Sequence, residues 1–273
     1  MLLILILKGD IITKKEAKTM ILAIDIGNTN IALGGFEGET PSFVARISTD
    51  ARKTSDEYAG IISSALLLYG IKNGDIDGAI ISSVVPPLTS VIKNAVSFIC
   101  GVEALAVGPG IKTGINIHCD DPSSVGADLI CACVAVNKLY KSPALIIDMG
   151  TATKMTLTDK SGGFCGVSII PGVAMGMKSL SEGTAQLPQV SLDEPRSVIG
   201  KNTADCMRSG VIFGNASLID GMVERFFEAA GGEMPIYATG GLAGRVIKHC
   251  RHEIILDEDL VLKGLYILFN KNK

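Results

Sequence analysis

Two stretches of the chain share one hydrophobic grammar. Residues 21–24 form an apolar run that ends in Asp25-Ile26-Gly27-Asn28-Thr29-Asn30, and apolar alternation resumes in Ile31-Ala32-Leu33-Gly34. Residues 144–147 form a second apolar run that ends in Asp148-Met149-Gly150-Thr151-Ala152-Thr153, and residues 155–158 continue it. Each stretch predicts two strands joined by a tight, glycine-containing turn. The offset between the two aspartates is 123 residues (148 minus 25). Helical spacing predicts helices over 56–68, 91–99, 129–139 (opening near Pro122), 174–180, 204–229 and 260–270. Further strands are predicted at 79–85, stopped by Pro86-Pro87, at 167–170 before Pro171-Gly172, and at 235–238 before Thr239-Gly240-Gly241.

Two α/β stretches that each open with an acidic Gly/Thr turn predict a duplicated fold with a cleft between its halves. The halves are expected at 20–142 and 143–273, closely packed because no low-complexity linker separates them. Residues 1–7 are apolar but too few to span a bilayer. Met20 is read as the natural start, and residues 1–19 as an upstream extension or an extra edge strand.

Composition narrows the function classes. Hydrophobic residues are 47% and charged residues 19%, enough for a large core. Net charge is −3 with no basic block, which disfavours nucleic acid and favours small molecules or other subunits as partners. Seven cysteines without a C-x-x-C pair argue against a disulfide framework or a structural zinc site, and place the chain in a reducing cytoplasm.

The turns carry the chemistry. Glycine lets backbone approach a ligand, and successive N–H groups cradle an anion. A carboxylate in such a turn repels bare phosphate but suits a phosphate with Mg²⁺ between them. Each turn alone also reads as an ordinary Asx-type hairpin. Two facing turns together can grip both ends of a polyphosphate. Thr239-Gly240-Gly241 offers a flat surface for a nucleoside, or is a plain strand-to-helix loop.

In this order the three elements resemble the phosphate and adenosine motifs of the actin-like ATPase superfamily. Further residues narrow the resemblance: Gly126-Ala127-Asp128 four residues after Pro122, Ile169-Ile170-Pro171-Gly172, Thr184-Ala185-Gln186-Leu187-Pro188, Ile199-Gly200-Lys201-Asn202-Thr203, and Ser209-Gly210. From about Met20 onward the chain resembles type III pantothenate kinases. The resemblance implies two ribonuclease-H-like halves around a nucleotide cleft, and ATP-dependent phosphorylation of pantothenate, the first step toward coenzyme A. By position it implies Asp128 as the catalytic carboxylate, Asp25 through Ala32 and Thr151 as ATP contacts, and Gly126, Ala127, Asp128, Leu129 and Thr203 as substrate contacts. It also implies Mg²⁺, a monovalent cation (K⁺ or NH₄⁺) at Asp148, and a homodimer. Read alone, Asp128 is first a carboxylate that complements a helix dipole, and only the motif context reverses that order.

Two positions depart from the family pattern: Leu129 where many members have arginine, and Cys119 where many have tyrosine. Both leave room for another small acceptor. A non-catalytic transcription accessory role is the other rival, disfavoured by the presence of Asp25, Asp128 and Asp148 together. Lys154 either lies near phosphate or points to solvent. The helices at 129–139 and 204–227 are candidates for a dimer interface or for the monomer core. His118-Cys119-Asp120-Asp121 reads as a weak metal cluster, and Cys131 and Cys133 as core.

Overall fold

The computed structural model describes residues 20–273, so the expectation for 1–19 lies outside the described residues. The first sheet comprises β1 (Met20–Ile26), β2 (Asn30–Phe36), β3 (Pro41–Ser48), β4 (Ile76–Ser83) and β5 (Ala104–Ala106) in the order β3-β2-β1-β4-β5. Helix α1 (Ser55–Leu68) leads from β3 to β4, and α2 (Pro86–Cys100) from β4 to β5. Helix α3 (Ala127–Leu139) then leads to the second sheet. That sheet comprises β6 (Ala144–Met149), β7 (Ala152–Thr158) and β8 (Phe164–Pro171). After α4 (Val173–Glu182) and α5 (Thr203–Ala230) come β9 (Ile236–Thr239), α6 (Ala243–Val246) and β10 (Ile255–Leu256). Its order, β10-β9-β6-β7-β8, reverses to the order of the first sheet, strand for strand. In both, the opening hairpin is antiparallel and the next strand joins the first in parallel. This is the duplicated α/β fold that the repeated turns predicted.

Strand β1 is apolar on both faces because both are covered: every residue but Asp25 is buried. On one face Leu22 and Ile24 pack with Tyr58 and Ile62 of α1 and Leu88 and Ile92 of α2. On the other, Ile21 and Ala23 meet Leu262, Leu265 and Phe269 of α7 (Leu260–Asn272). The final helix thus covers the first sheet. It also packs on α3, and an added Cβ at Gly264 would lie 2.0 Å from the Cys131 carbonyl oxygen, so only glycine permits this crossing distance. Helix α3 in turn packs Cys133 and Val136 with Ile146, Phe164 and Tyr237 of the second sheet. Residues 128–136 of α3 are all buried, which makes this helix core rather than a free interface.

Several boundaries differ from expectation. Helix α2 starts at Pro86 rather than near 91, because the first-turn N–H groups have no helical acceptor and proline is tolerated there. Pro122–Ser124 makes only one 3₁₀ turn, and α3 opens at Ala127. Strands β5 and β10 span three and two residues, too short to show a period. Strand β3 is an edge strand that pairs with β2 on one side only, and from Phe43 to Ser48 its more buried residues alternate with more exposed ones.

Candidate active site

The two acidic turns meet across the cleft. In the first, β1 ends just past Asp25, and Gly27 N–H donates to the Asn30 carbonyl at 3.0 Å to close the hairpin. Thr49 braces it from β3's end: its hydroxyl donates to the Gly27 carbonyl at 2.7 Å, and its N–H to the Thr29 carbonyl at 3.0 Å. In the second, Gly150 N–H donates to the Ala152 carbonyl at 3.2 Å. The hydroxyls of Thr29 and Thr151 lie 2.8 Å apart, joining the tips of the turns. Asn28, Thr29, Asn30 and Thr151 are exposed, with their donors available to a ligand. Gly240, in the loop after β9, has φ +97°, and a Cβ there would sit 2.6 Å from Met149 backbone. That loop therefore lies directly under the second turn.

Beneath the tips lies a group of three carboxylates. Asp128 is the second residue of α3, so packing of that helix between the sheets brings it to the cleft floor. Its Oδ1 accepts from Leu129 N–H at 2.9 Å, as expected of a helix-start carboxylate, while its Oδ2 faces the Lys154 ammonium. Asp148 and Lys154 are direct cross-strand partners in the β6–β7 hairpin, so their side chains share a face. Lys154 Nζ lies 2.6 Å from Asp148 Oδ2. One ammonium thus bridges a carboxylate from α3 and another from the second sheet. Burial opposes its charge, but Asp148 and Asp128 together outweigh that and hold it above the usual lysine range. Burial also raises Asp148, and Lys154 takes back part of that effect.

Asp25 is treated differently by the same hairpin plan. Its cross-strand partner is Ala32, so it has no lysine of its own. Burial, then the charges of Asp128 and Asp148, push it up to about 7, and the Ser82 hydroxyl and Lys154 offset only part. Opposite it on β4 stands Ser82, fully buried, its hydroxyl facing the Asp25 carboxylate. A buried, raised carboxylate with only a hydroxyl beside it and no ammonium of its own fits a site for a hydrated cation. Among the described residues no set of three His, Cys, Asp or Glu can enclose a metal. The donors therefore fit Mg²⁺ held by one carboxylate, water and phosphate oxygens. They do not fit a dissolved monovalent cation at Asp148, where the expected K⁺ or NH₄⁺ would have to displace the Lys154 ammonium.

The family model for type III pantothenate kinase matches residues 21–225. The chain belongs to the type III pantothenate kinase family. A type III pantothenate kinase of Halalkalibacterium halodurans is 40% identical over 93% of this chain and 100% of its own. Among solved structures, a protein named as a Baf family transcriptional activator from Campylobacter jejuni is 20% identical. It covers 92% of this chain and 98% of its own, with a TM-score of 0.57. The ROK hexokinase of Thermus thermophilus is 12% identical over 93% of this chain and 100% of its own, with a TM-score of 0.50. At such identities these two likenesses concern the fold alone, which is that of the actin-like ATPases.

Of the residues singled out by the family pattern, Asp25, Asp128 and Asp148 come together on the cleft floor, and Thr29 and Thr151 at its mouth. Leu129 is 8% exposed and packs in the core with Val136 and Ile146, so its side chain adds to the core and only its N–H reaches Asp128. Cys119 is exposed on the loop before α3. Thr203 is exposed at the start of α5, and among the described residues no hydrogen bond joins it to the carboxylates. His118 pairs with Asp159 at 3.2 Å instead of building a metal cluster. Cys131 and Cys133 are fully buried.

Sequence reading left Lys154 undecided and passed over Thr49 and Ser82. The register of a hairpin closing at Gly150-Thr151 was the signal for Lys154, since it sets 154 opposite 148. Thr49 and Ser82 arrive from other strands and carry no local signal.

Proposed function

We propose that the chain phosphorylates pantothenate from Mg²⁺-ATP at its primary hydroxyl, with Asp128 as the group that orients that hydroxyl and accepts its proton. The observation that carries this reading is the convergence of Asp128, Asp25 and Asp148 beneath two turns whose tips touch. An alcohol is a poor nucleophile at neutral pH, and a positioned carboxylate relieves that. Phosphoryl transfer otherwise needs mainly positioning and charge stabilisation. The exposed donors of residues 28–30 and Thr151 would bind phosphate oxygens, and the loop at Gly240-Gly241 would take the nucleoside. Mg²⁺, held at Asp25, supplies neutralisation of phosphate charge when bound. Gly126, Ala127 and Thr203 would line the acceptor side.

The buried apolar Leu129 removes an arginine from that side, so the pantothenate carboxylate would be met by other groups. Another small acceptor is the competing reading. ADP release by the purified protein with ATP and Mg²⁺ separates them. Release that requires pantothenate, matched by phosphopantothenate, is expected. Release without pantothenate would move the acceptor elsewhere.

Ile169 of β8, Met175 of α4, and Val198 and Ile199 ahead of α5 are exposed apolar side chains. A second copy of the chain would cover exposed side chains of this kind, and a homodimer is expected on that basis. A monomer mass in sedimentation equilibrium would remove it. The seven thiols are all free, which supports a reducing cytoplasmic setting.

A further inference from the structure

The carboxylates on the cleft floor differ in how their charge is met. Asp128 and Asp148 share the ammonium of Lys154, whose side chain is 17% exposed, while those of Asp128 and Asp148 are 10% and 16% exposed. The three groups come from different elements: α3, β6 and β7. The lysine is delivered by register, not by a flexible loop, because residue 154 stands opposite 148 in the antiparallel ladder. The first turn, built on the same plan, has Ala32 at the equivalent place and leaves its aspartate without an ammonium. The two hairpins therefore differ in the residue that stands opposite the aspartate. One copy carries its own cation, and the other keeps a carboxylate free for a dissolved one.

Lys154 meets two requirements of a cation at this place. It sits within contact of both carboxylates at once, so it neutralises repulsion between α3 and the second sheet. It also holds Oδ2 of Asp128 while Leu129 N–H holds Oδ1, which leaves that carboxylate with a set orientation. A freely exchanging ion could do the first, but here the tethered ammonium already stands on Asp148.

We propose that Lys154 is the resident cation of the active site, a positioning residue that ties Asp128 to Asp148 so that turnover needs no dissolved monovalent cation. The turnover arm of this inference rests on the pantothenate kinase reading. The binding arm does not.

The test compares ADP release in choline chloride with release in KCl or NH₄Cl, at constant ionic strength so that screening is equal. Wild-type rates are expected to agree within about twofold across the three salts. A misplaced catalytic group costs on the order of a hundredfold. Lys154→Met is accordingly expected to be slowed by at least tenfold in choline, and to recover several-fold in K⁺ or NH₄⁺. Lys154→Arg keeps the charge and is expected to stay unresponsive to the salt. A purely structural lysine would give a slow Lys154→Met enzyme with no ion-specific recovery.

Melting of substrate-free protein in the same salts reads the site without any reaction. The wild type is expected to melt alike in K⁺ and choline, and Lys154→Met to be stabilised by K⁺. Strong activation or stabilisation of the wild type by K⁺ would overturn the proposal, as would a Lys154→Met enzyme at full rate in choline. If Lys154→Met does not fold, the wild-type and Lys154→Arg salt series decide. If no salt yields pantothenate-dependent ADP, the acceptor reading fails and the melting comparison alone judges Lys154.

Discussion

Asp128→Asn is expected to reduce phosphoryl transfer by about a hundredfold to ten-thousandfold, the usual contribution of a positioned general base. The substitution keeps the shape of the side chain and its acceptor for Leu129 N–H, so α3 should open in the same place. What it removes is the ability to take a proton and one of the two charges on Lys154. Asp148 remains beside the ammonium at 2.6 Å, so the lysine keeps a partner and the floor of the cleft should not collapse. Circular dichroism melts of mutant and wild type should then agree to within a few degrees while ADP release falls. Turnover near the wild-type rate would end the role of Asp128 as base. A large drop in melting temperature would instead show that its chief work is to hold α3 against the second sheet.

Asp25→Asn is expected to move activity and stability in opposite directions. Turnover should be lost, because the amide cannot balance a phosphate-bound cation. The substrate-free protein should become more stable above neutral pH, because a crowded charge has gone. The sign follows from the raised carboxyl, pushed from 3.8 to about 7 by burial and by Asp128 and Asp148. Between those values the folded chain holds a proton that the unfolded chain has released. Stability from this group therefore falls as pH rises through that window, and the cost is complete above about 7. One pKa unit corresponds to about 1.4 kcal/mol, so the cost is on the order of 4 kcal/mol. At roughly 2–4 °C per kcal/mol for a chain of this size, the mutant should melt several degrees higher at pH 8. Little difference is expected near pH 4. The comparison is a series of melts from about pH 4 to 8.5 on both proteins without nucleotide. A mutant that melts lower than wild type at pH 8 would mean that the Asp25 charge is already balanced in the free protein.

These two results bear on different parts of the same floor. One concerns a carboxylate fixed from both sides by Lys154 and by backbone, the other a carboxylate left for a ligand to neutralise. An enzyme of this kind is expected to be least stable where it is most ready to bind Mg²⁺-ATP, and binding should restore what that readiness costs.

Local pattern determined much about this protein. The two Asp-x-Gly turns with threonine close behind, the strands around them and the long apolar helices were legible because each depends on short-range periodicity and turn chemistry. Their repetition was enough to predict a duplicated fold, and the order of the motifs was enough to point to the kinase family. Other features depended on distant parts of the chain. β5 and β10 are held by neighbours rather than by their own two or three residues. Helix α7 ends the chain but buries Leu265 and Phe269 against the first sheet, a choice made by long-range burial. Asp128 reads from sequence as a helix-start carboxylate and is one; only the packing of α3 between the sheets sets its other oxygen beside Lys154. Leu129 looked like a substrate contact, yet its apolar side chain gains more by joining the core. Sequence alone determined which residues could bind phosphate and carry charge, because those properties belong to residue types in short turns. The tertiary structure decided which charges meet, because strand register and helix packing set distances between residues that lie far apart along the chain.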